Sequence, residues 1–410
     1  MVSGWVERPI LEVLKPNGIK IGPFGSQLKK EMLLSDGIYK VYGQENVFDK
    51  DFSLGDRFLT RDHFNHLNSC EIVPGDFVMS TMGTIGKCAI VPKSIQRGIM
   101  DSHLIRLRFD EKKVNPKYIL QVFSDEYHYL SDQTARLAVG GIMDGLSVGI
   151  VSRLNVMYPE RFDEQERIIS VLSDIDELII DLKKRIRKQK DIRQGVTQQL
   201  LTGKKRINGF SSTWRTEQLS TVSSRIGVGL ATSVTQYYRD EGRIIFRNLN
   251  IKENYLDDSD VLFLDNDFAS KNPNKEIREG DVLTVHTGYV GVSCVVPEKY
   301  DGALTFTTLI TTTKKKELLP EYLSYHLNSS LGHKVIEDLQ TSGGRNNLNV
   351  ADFEKYTLSF PSEIEEQKEI IDILKDMDCD IRRLEEKLLK YQKIKQGMME
   401  ELLTGKVRIV

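Results

Sequence analysis

Two glycine-bearing stretches hold residues whose types suit contact with a nucleic acid. The first is Ile21-Gly22-Pro23-Phe24-Gly25-Ser26-Gln27-Leu28-Lys29-Lys30. Its glycines permit close approach to a phosphate, Lys29 and Lys30 supply counter-charge, Phe24 offers a ring and Ser26 a hydroxyl. The Gln27 amide has the geometry to read adenine. A Gly-Pro turn followed by a solvated helix start accounts for the same residues. The second stretch, Thr341-Ser342-Gly343-Gly344-Arg345-Asn346-Asn347-Leu348-Asn349, is denser. Arg345 suits bidentate pairing with guanine, and Asn346 and Asn347 suit adenine. Further candidates are Gln44, Asn46, Thr84 and Lys87 in the first half and Arg247, Asn248, Asn250, His286 and Tyr289 in the second.

Catalytic constellations are not found beside them. No phosphate-cradling G-x-x-x-x-G-K-[ST] loop occurs, and Gly195 to Lys204 has the wrong spacing on a helical stretch. Gly83-x-x-Gly86 and Gly288-x-x-Gly291 lack the third glycine of a dinucleotide loop and read as tight turns. His63-x-x-His66 has no cysteine nearby to complete a zinc set. No aminomethyltransferase tetrapeptide and no nuclease pattern of carboxylates with a lysine is present. The sequence therefore reads as non-catalytic, with no metal site and no cofactor of its own.

The 410 residues carry a formal charge of −2, with 28% charged and 40% hydrophobic residues, an ordinary soluble balance. Residues 1–160 are neutral overall and 209–361 carry −4, so binding to a polyanion has to rely on local faces or on partners. Cys70, Cys88, Cys294 and Cys379 are widely spaced, as expected for free thiols in a reducing compartment. The start MVSGWVERPI is not a signal peptide, and no apolar stretch nears the ~20 residues of a membrane span. A cytoplasmic location with no membrane partner is expected.

The elements that must position these residues are written twice. Residues 159–207 align without a gap to 361–409, with 21 of 49 positions identical. Outside these helical stretches the repeat is weaker: Trp5 answers to Trp214, and Gly75-Asp76-Phe77 through Pro92 answers to Gly280-Asp281-Val282 through Pro297. Gly140-Gly141 answers to Gly343-Gly344, but Ile142-Met143-Asp144-Gly145 has lost the Arg-Asn-Asn. Divergence of that kind suits two domains reading different bases, and it equally suits drift in an idle loop. The pattern predicts an α+β chain with an internal pseudo-twofold repeat. Its parts are a mixed α/β domain at 1–160, a long helix at 161–208, a second domain at 209–361 and a second helix at 362–410.

Within the domains, Ile72–Val73, Phe77–Ser80, Cys88–Val91 and a half-buried His103–Phe109 read as strands, and 117–129 as a helix. In the arms, Ile168, Val171, Ile175, Leu178, Leu182, Ile192 and Val196 fall on a heptad seam. Ile370, Ile373, Met377, Leu384, Tyr391, Ile394 and Met398 repeat it. Arg185, Gln189, Asp380 and Lys387 enter as polar seam residues. About 38 residues make a rod of roughly 57 Å. Each arm must bury its seam, and the expected partner is its antiparallel copy. Gly203 and Gly405, in the two Leu-Leu-Thr-Gly-Lys endings, suit helix C-caps.

This set resembles the specificity subunits of type I restriction–modification enzymes. The resemblance rests on the order domain, helix, domain, helix, and on the Glu-Gln openings at Glu164-Gln165 and Glu366-Gln367. The Leu-Leu-Thr-Gly-Lys endings, Gly22-Pro23-Phe24-Gly25-Ser26 and the paired Gly-Asp…Gly-x-x-Gly segments complete it. The resemblance implies two target recognition domains, each reading half of a bipartite site in double-stranded DNA. It implies that the paired helices set the gap and dock two modification (methyltransferase) subunits. S-adenosylmethionine would then sit on those subunits, and ATP and magnesium on restriction (translocase–nuclease) subunits. Two alternatives remain open at this level. One is the same subunit serving a fused methyltransferase–nuclease partner; the other is a coiled-coil adaptor that binds proteins.

Overall fold

The structure is a computed structural model that describes residues 3–137, 145–343 and 347–409. The chain divides into two compact units, residues 1–183 with 386–410 and residues 184–385. Each unit therefore takes a globular domain together with one half of each long helix. The helices run Phe162–Leu201 and Ile364–Leu402. No helix among the described residues is long and apolar enough to cross a membrane.

In the first unit a four-stranded antiparallel sheet has the order Leu14–Ile21, Leu104–Phe109, Phe77–Ser80, Cys88–Ile90. A second sheet has the order Phe58–Leu59, Tyr39–Tyr42, Gly98–Met100, Glu71–Ile72, with its middle pair parallel. The second unit repeats the first sheet with Ser223–Val228, Thr308–Thr313, Val282–Val285 and Ser293–Val295. It repeats the parallel pair with Arg243–Phe246 and Leu304–Thr305. In each unit a two-stranded ribbon joins the start of the domain to the strand before the long helix, Trp5–Pro9 with Asn155–Pro159 and Trp214–Gln218 with Thr357–Pro361.

The strand expected over His103–Phe109 is Leu104–Phe109, and it is buried on both faces rather than half-exposed. Ile105, Leu107 and Phe109 enter one core while Leu104 enters the other, so alternation here separates two interiors. Arg106 is buried too, and its Nη1 donates to the carbonyl oxygens of Glu71 and Ser69. The helix expected over 117–129 stops at Val122 and a second begins at Tyr129, with His128 at φ 59° between them. Asn115 caps the first by accepting from the Lys117 N–H, and Pro116 needs no intrahelical donor at that position.

The arms correct the expected seam by one residue in one of its two columns. Ile168, Leu172, Ile175, Ile179, Leu182 and Ile186 are buried, whereas Leu178 and Ile192 are exposed. In the second arm Leu374, Ile381 and Lys395 replace Ile373, Asp380 and Ile394. Adjacent apolar pairs such as Ile179-Ile180 and Ile373-Leu374 made either choice compatible with heptad spacing. Arg185, Gln189, Asp380 and Lys387 are all exposed. The polar seam positions are Arg193 and Lys395 instead. In the second unit Arg193 Nε donates to Asp378 Oδ1 at 2.9 Å, and the Tyr325 hydroxyl donates to the other oxygen at 2.9 Å. In the first unit buried Lys395 pairs with Asp176 at 2.7 Å and with Glu126. Each cation ties one arm to the other and to the globular domain beside them.

The repeated sequence signatures have a mechanical reading. Past each Leu-Leu-Thr, Gly405 and Gly203 turn the chain with φ of 72° and 66°. A Cβ on Gly405 would lie 2.8 Å from the Trp5 ring, so the position excludes a side chain on packing as well as on conformation. The turn delivers Arg408 onto Glu164 with bonds of 2.5 and 2.6 Å, and Arg206 onto Glu366 with bonds of 2.6 and 2.7 Å. Trp5 Nε1 adds a donor to Glu164 at 3.3 Å. The neighbouring glutamines hold each helix start to its domain. Gln165 accepts from the Asn115 N–H and donates to the Pro159 carbonyl, and Gln367 does the same with Leu319 and Pro361. Within each unit the end of one helix is latched to the start of the other, which makes them antiparallel.

Two stability predictions arise. Glu366 is fully buried, so Glu366→Gln leaves Arg206 without its carboxylate; urea unfolding should show a loss of roughly 3 kcal/mol. A loss within error would mean that the latch is decorative. Separately, His326 is buried against the Tyr356 hydroxyl at 2.6 Å, and burial pushes its pKa down to about 4. The unfolded chain takes up this proton near pH 6.5 and the folded chain refuses it until about 4. Stability should thus fall as pH drops through that window, by roughly 3 kcal/mol in all. The double variant His326→Val with Tyr356→Leu installs the apolar pair Val122 and Leu154 of the first repeat, and melts across pH 7 to 4.5 should show it losing less stability than the parent.

Candidate nucleic-acid interface

In the first unit hydrogen bonds gather four loops at one end of the central sheet. The Gly22 N–H donates to the Leu104 carbonyl at 3.0 Å, and a Cβ at Gly22 would sit 1.8 Å from the Asp101 carbonyl oxygen. Only glycine lets the 22–30 loop leave the sheet there. The Asp101 N–H donates to the Tyr42 carbonyl, bringing in the Gly43–Asn46 turn, and the Thr81 N–H donates to the His103 carbonyl. Leu146 closes the group by donating to the Thr81 carbonyl at 2.8 Å. The second unit repeats the plan. Gly229 approaches Thr305, Phe306 N–H donates to the Phe246 carbonyl, and Leu348 N–H donates to the His286 carbonyl at 3.1 Å.

On this frame the predicted residues separate into two kinds. Phe24, Ser26, Gln27, Lys29, Lys30 and Thr84 are exposed, as are Tyr289, at 88%, and Asn347. Gln44 is half-buried against the Gly83 turn, with its amide 3.8–3.9 Å from where a Cβ would be. His286 is half-buried, and burial lowers its pKa, so the ring favours its neutral, hydrogen-bonding form over a cation. Arg345 and Asn346 lie outside the described residues, as does most of the 139–145 counterpart loop.

Other candidates serve the frame, which corrects the expectation that they face DNA. Asn46 is fully buried. Its Oδ1 accepts from the Gly43 N–H at 2.9 Å, and its Nδ2 donates to the Asp51 and Leu54 carbonyls. Asn250 does the same with the Arg247 N–H and the Asp257 and Asp260 carbonyls. An amide so enclosed has no donor or acceptor left for a base edge. Asn248 is committed as well, donating to the Thr287 carbonyl at 3.4 Å and accepting from the Thr308 hydroxyl at 3.1 Å. Lys87 is paired with Asp125, and Arg247 with Asp260 at 2.9 Å, so neither charge is idle.

Sequence reading missed a charged cluster at the same end. Arg57 bridges Asp101 at 2.9 Å and Glu45 at 2.8 Å. Burial opposes the Arg57 charge, and the hydrogen bonds and charges of Asp101 and Glu45 outweigh it and raise its pKa. Arg57 and Asp101 lie outside the matched repeat segments and 44 residues apart, so no spacing signalled the cluster. Met82, 42% exposed at the same turn, was also passed over.

The model of the type I restriction modification DNA specificity domain matches residues 4–190 and 231–395, one copy in each half. The chain belongs to this family. A curated relative, the type I restriction enzyme MjaVIII specificity subunit of Methanocaldococcus jannaschii, is 22% identical over 330 residues, covering 77% of this chain and 75% of its own. The crystal structure of the type I restriction–modification S subunit from M. genitalium is 14% identical, with a TM-score of 0.58 over 97% of this chain and 96% of that one. A chain solved in work on complex assembly and conformational transition of the type I R-M system is 16% identical, with a TM-score of 0.59 and 98% of both chains covered. The fold is therefore that of S subunits, and the chain is a DNA-recognition subunit of the type I restriction–modification kind.

For a specificity subunit, the buried amides carry a prediction that separates frame from reading. Asn250→Ala removes three hydrogen bonds and strands buried partners; denaturant unfolding should show a cost of roughly 3 kcal/mol. A fully stable Asn250→Ala variant would mean that these bonds do not support the turn.

Proposed function

We propose that each globular unit reads one half of a bipartite DNA target and that the subunit has no catalytic activity of its own. The observation that carries this reading is the contrast between frame and loop tips. Both units share the order of the central sheet, the parallel strand pair, the Asn46 and Asn250 supports and the glycine exits at Gly22 and Gly229. At the tips the exposed residues differ, with Met82 and Thr84 of the first unit corresponding in sequence to Thr287 and Tyr289 of the second. One support structure presenting two chemistries suits a target with two unlike halves. Within this reading the long helices act as the spacer between half-sites.

The same reading assigns the chemistry to partners. Two modification subunits would carry S-adenosylmethionine and methylate adenine, and restriction subunits would carry ATP and magnesium. The two-domain form of this chain, with each helix shared between units, offers each modification subunit an equivalent surface. The near-neutral charge of the chain fits a subunit that gains much of its DNA affinity from those partners.

Replacing residues 209–361 by the matching segment of a relative tests the modular reading. Methylated adenines mapped in a host that also expresses the modification subunit should show one half-site changed and the other intact. A change in both half-sites, or in neither, counts against two independent readers.

A further inference from the structure

Gln44 and Asn248 occupy equivalent places in the repeat, each at the first position after the Gly43 or Arg247 cap residue. Their amides are in opposite states. Asn248 uses both ends, on Thr287 and Thr308. Gln44 makes no such bonds; its Oε1 is buried and has no hydrogen-bond partner among the described residues. An acceptor removed from water without a partner is disfavoured, so any rotation that finds it a donor is favoured in turn.

The surroundings permit that rotation. Gly83 lies beside the amide with φ 66° and no side chain, so the turn leaves space where any other residue would put a Cβ. Met82 and Thr84 on either side are exposed, which places the amide at the edge of the surface formed by the gathered loops. Beneath it, Asn46 fixes the turn backbone through three hydrogen bonds, so a moving side chain need not disturb the fold. A glutamine one bond longer than asparagine can reach outward where Asn248 stays tied in.

We infer that Gln44 is a specificity-determining residue of the first half-site, swinging out to read an adenine, and that Asn248 has no such role in the second. The amide oxygen accepts from the adenine exocyclic amine while its N–H donates to the ring nitrogen facing the major groove, a two-point contact that other bases do not match. Bound to DNA, the Gln44 oxygen acquires the partner that it lacks in the free protein. This inference rests on the reading of the chain as a bipartite DNA reader.

The test is Gln44→Met, which keeps length and volume and removes the amide. The full-length variant is expressed with its modification subunit in a host free of other adenine methylation, and methylated sites are mapped. The expected result is a loss of discrimination at one position of one half-site, on the order of tenfold or more. The melting temperature of the purified variant should be unchanged or higher, because a buried orphan acceptor has gone. An unchanged methylation map overturns the inference. So does a lowered melting temperature with blurring across the whole half-site, since that marks a structural residue. If the parent protein itself yields no bipartite pattern, the underlying reading fails, and that outcome is distinguishable because it appears before any substitution.

Discussion

The carboxylate that opens each long helix is the contact on which the rest depends. Glu164 and Glu366 lie in the interior, where an unpaired charge is costly, and each is met by an arginine from the far end of the other helix. The arginine arrives only because a glycine three residues earlier adopts a left-handed turn against a tryptophan. The glutamine beside each carboxylate then ties the helix to its own domain. Sequence direction, helix ends and domain attachment are settled by three neighbouring side chains, used twice. Arg193 with Asp378 and Lys395 with Asp176 repeat the principle further along the seam, where a purely apolar heptad would tolerate slippage in register.

A frame fixed in this way frees the loops. The four segments gathered at the end of each central sheet are held by backbone hydrogen bonds and by buried amides, so their exposed side chains contribute little to folding. Tyr289, Phe24, Met82 and Thr84 project from positively turned or glycine-flanked backbone and are available for change. That separation is what a reader of varied targets requires. Arg57 with Glu45 and Asp101, and Arg247 with Asp260, are charges near the loops that the frame holds in pairs.

Much of the architecture was legible in the sequence. The duplicated helices and the central-sheet strands at Phe77–Ser80, Cys88–Ile90 and Leu104–Phe109 followed from repeat, spacing and turn residues. What was not legible had physical causes. The seam was ambiguous wherever two branched or apolar residues sat side by side, since heptad spacing alone does not choose between Ile179 and Ile180. The strand at Leu104–Phe109 alternates because two cores flank it, and alternation cannot distinguish a second core from solvent when that core accepts an arginine. The partner of Glu164 is 244 residues away, a distance that no local pattern encodes.

The candidate site shows the same limit more sharply. Asn46 and Asn250 carry an amide, the group that suits adenine, and both halves keep it. Those are the residues that the structure buries under three hydrogen bonds each. Gln44 and Asn248, by contrast, differ between the halves, and one of them leaves its amide uncommitted. In a duplicated chain, a polar residue repeated in both copies is under the demand that both copies share, which is folding. A polar residue that changes between copies is released from that demand. For a protein whose two halves face unlike partners, recognition chemistry is therefore to be sought where the repeat disagrees, on loops that the agreeing residues hold in place.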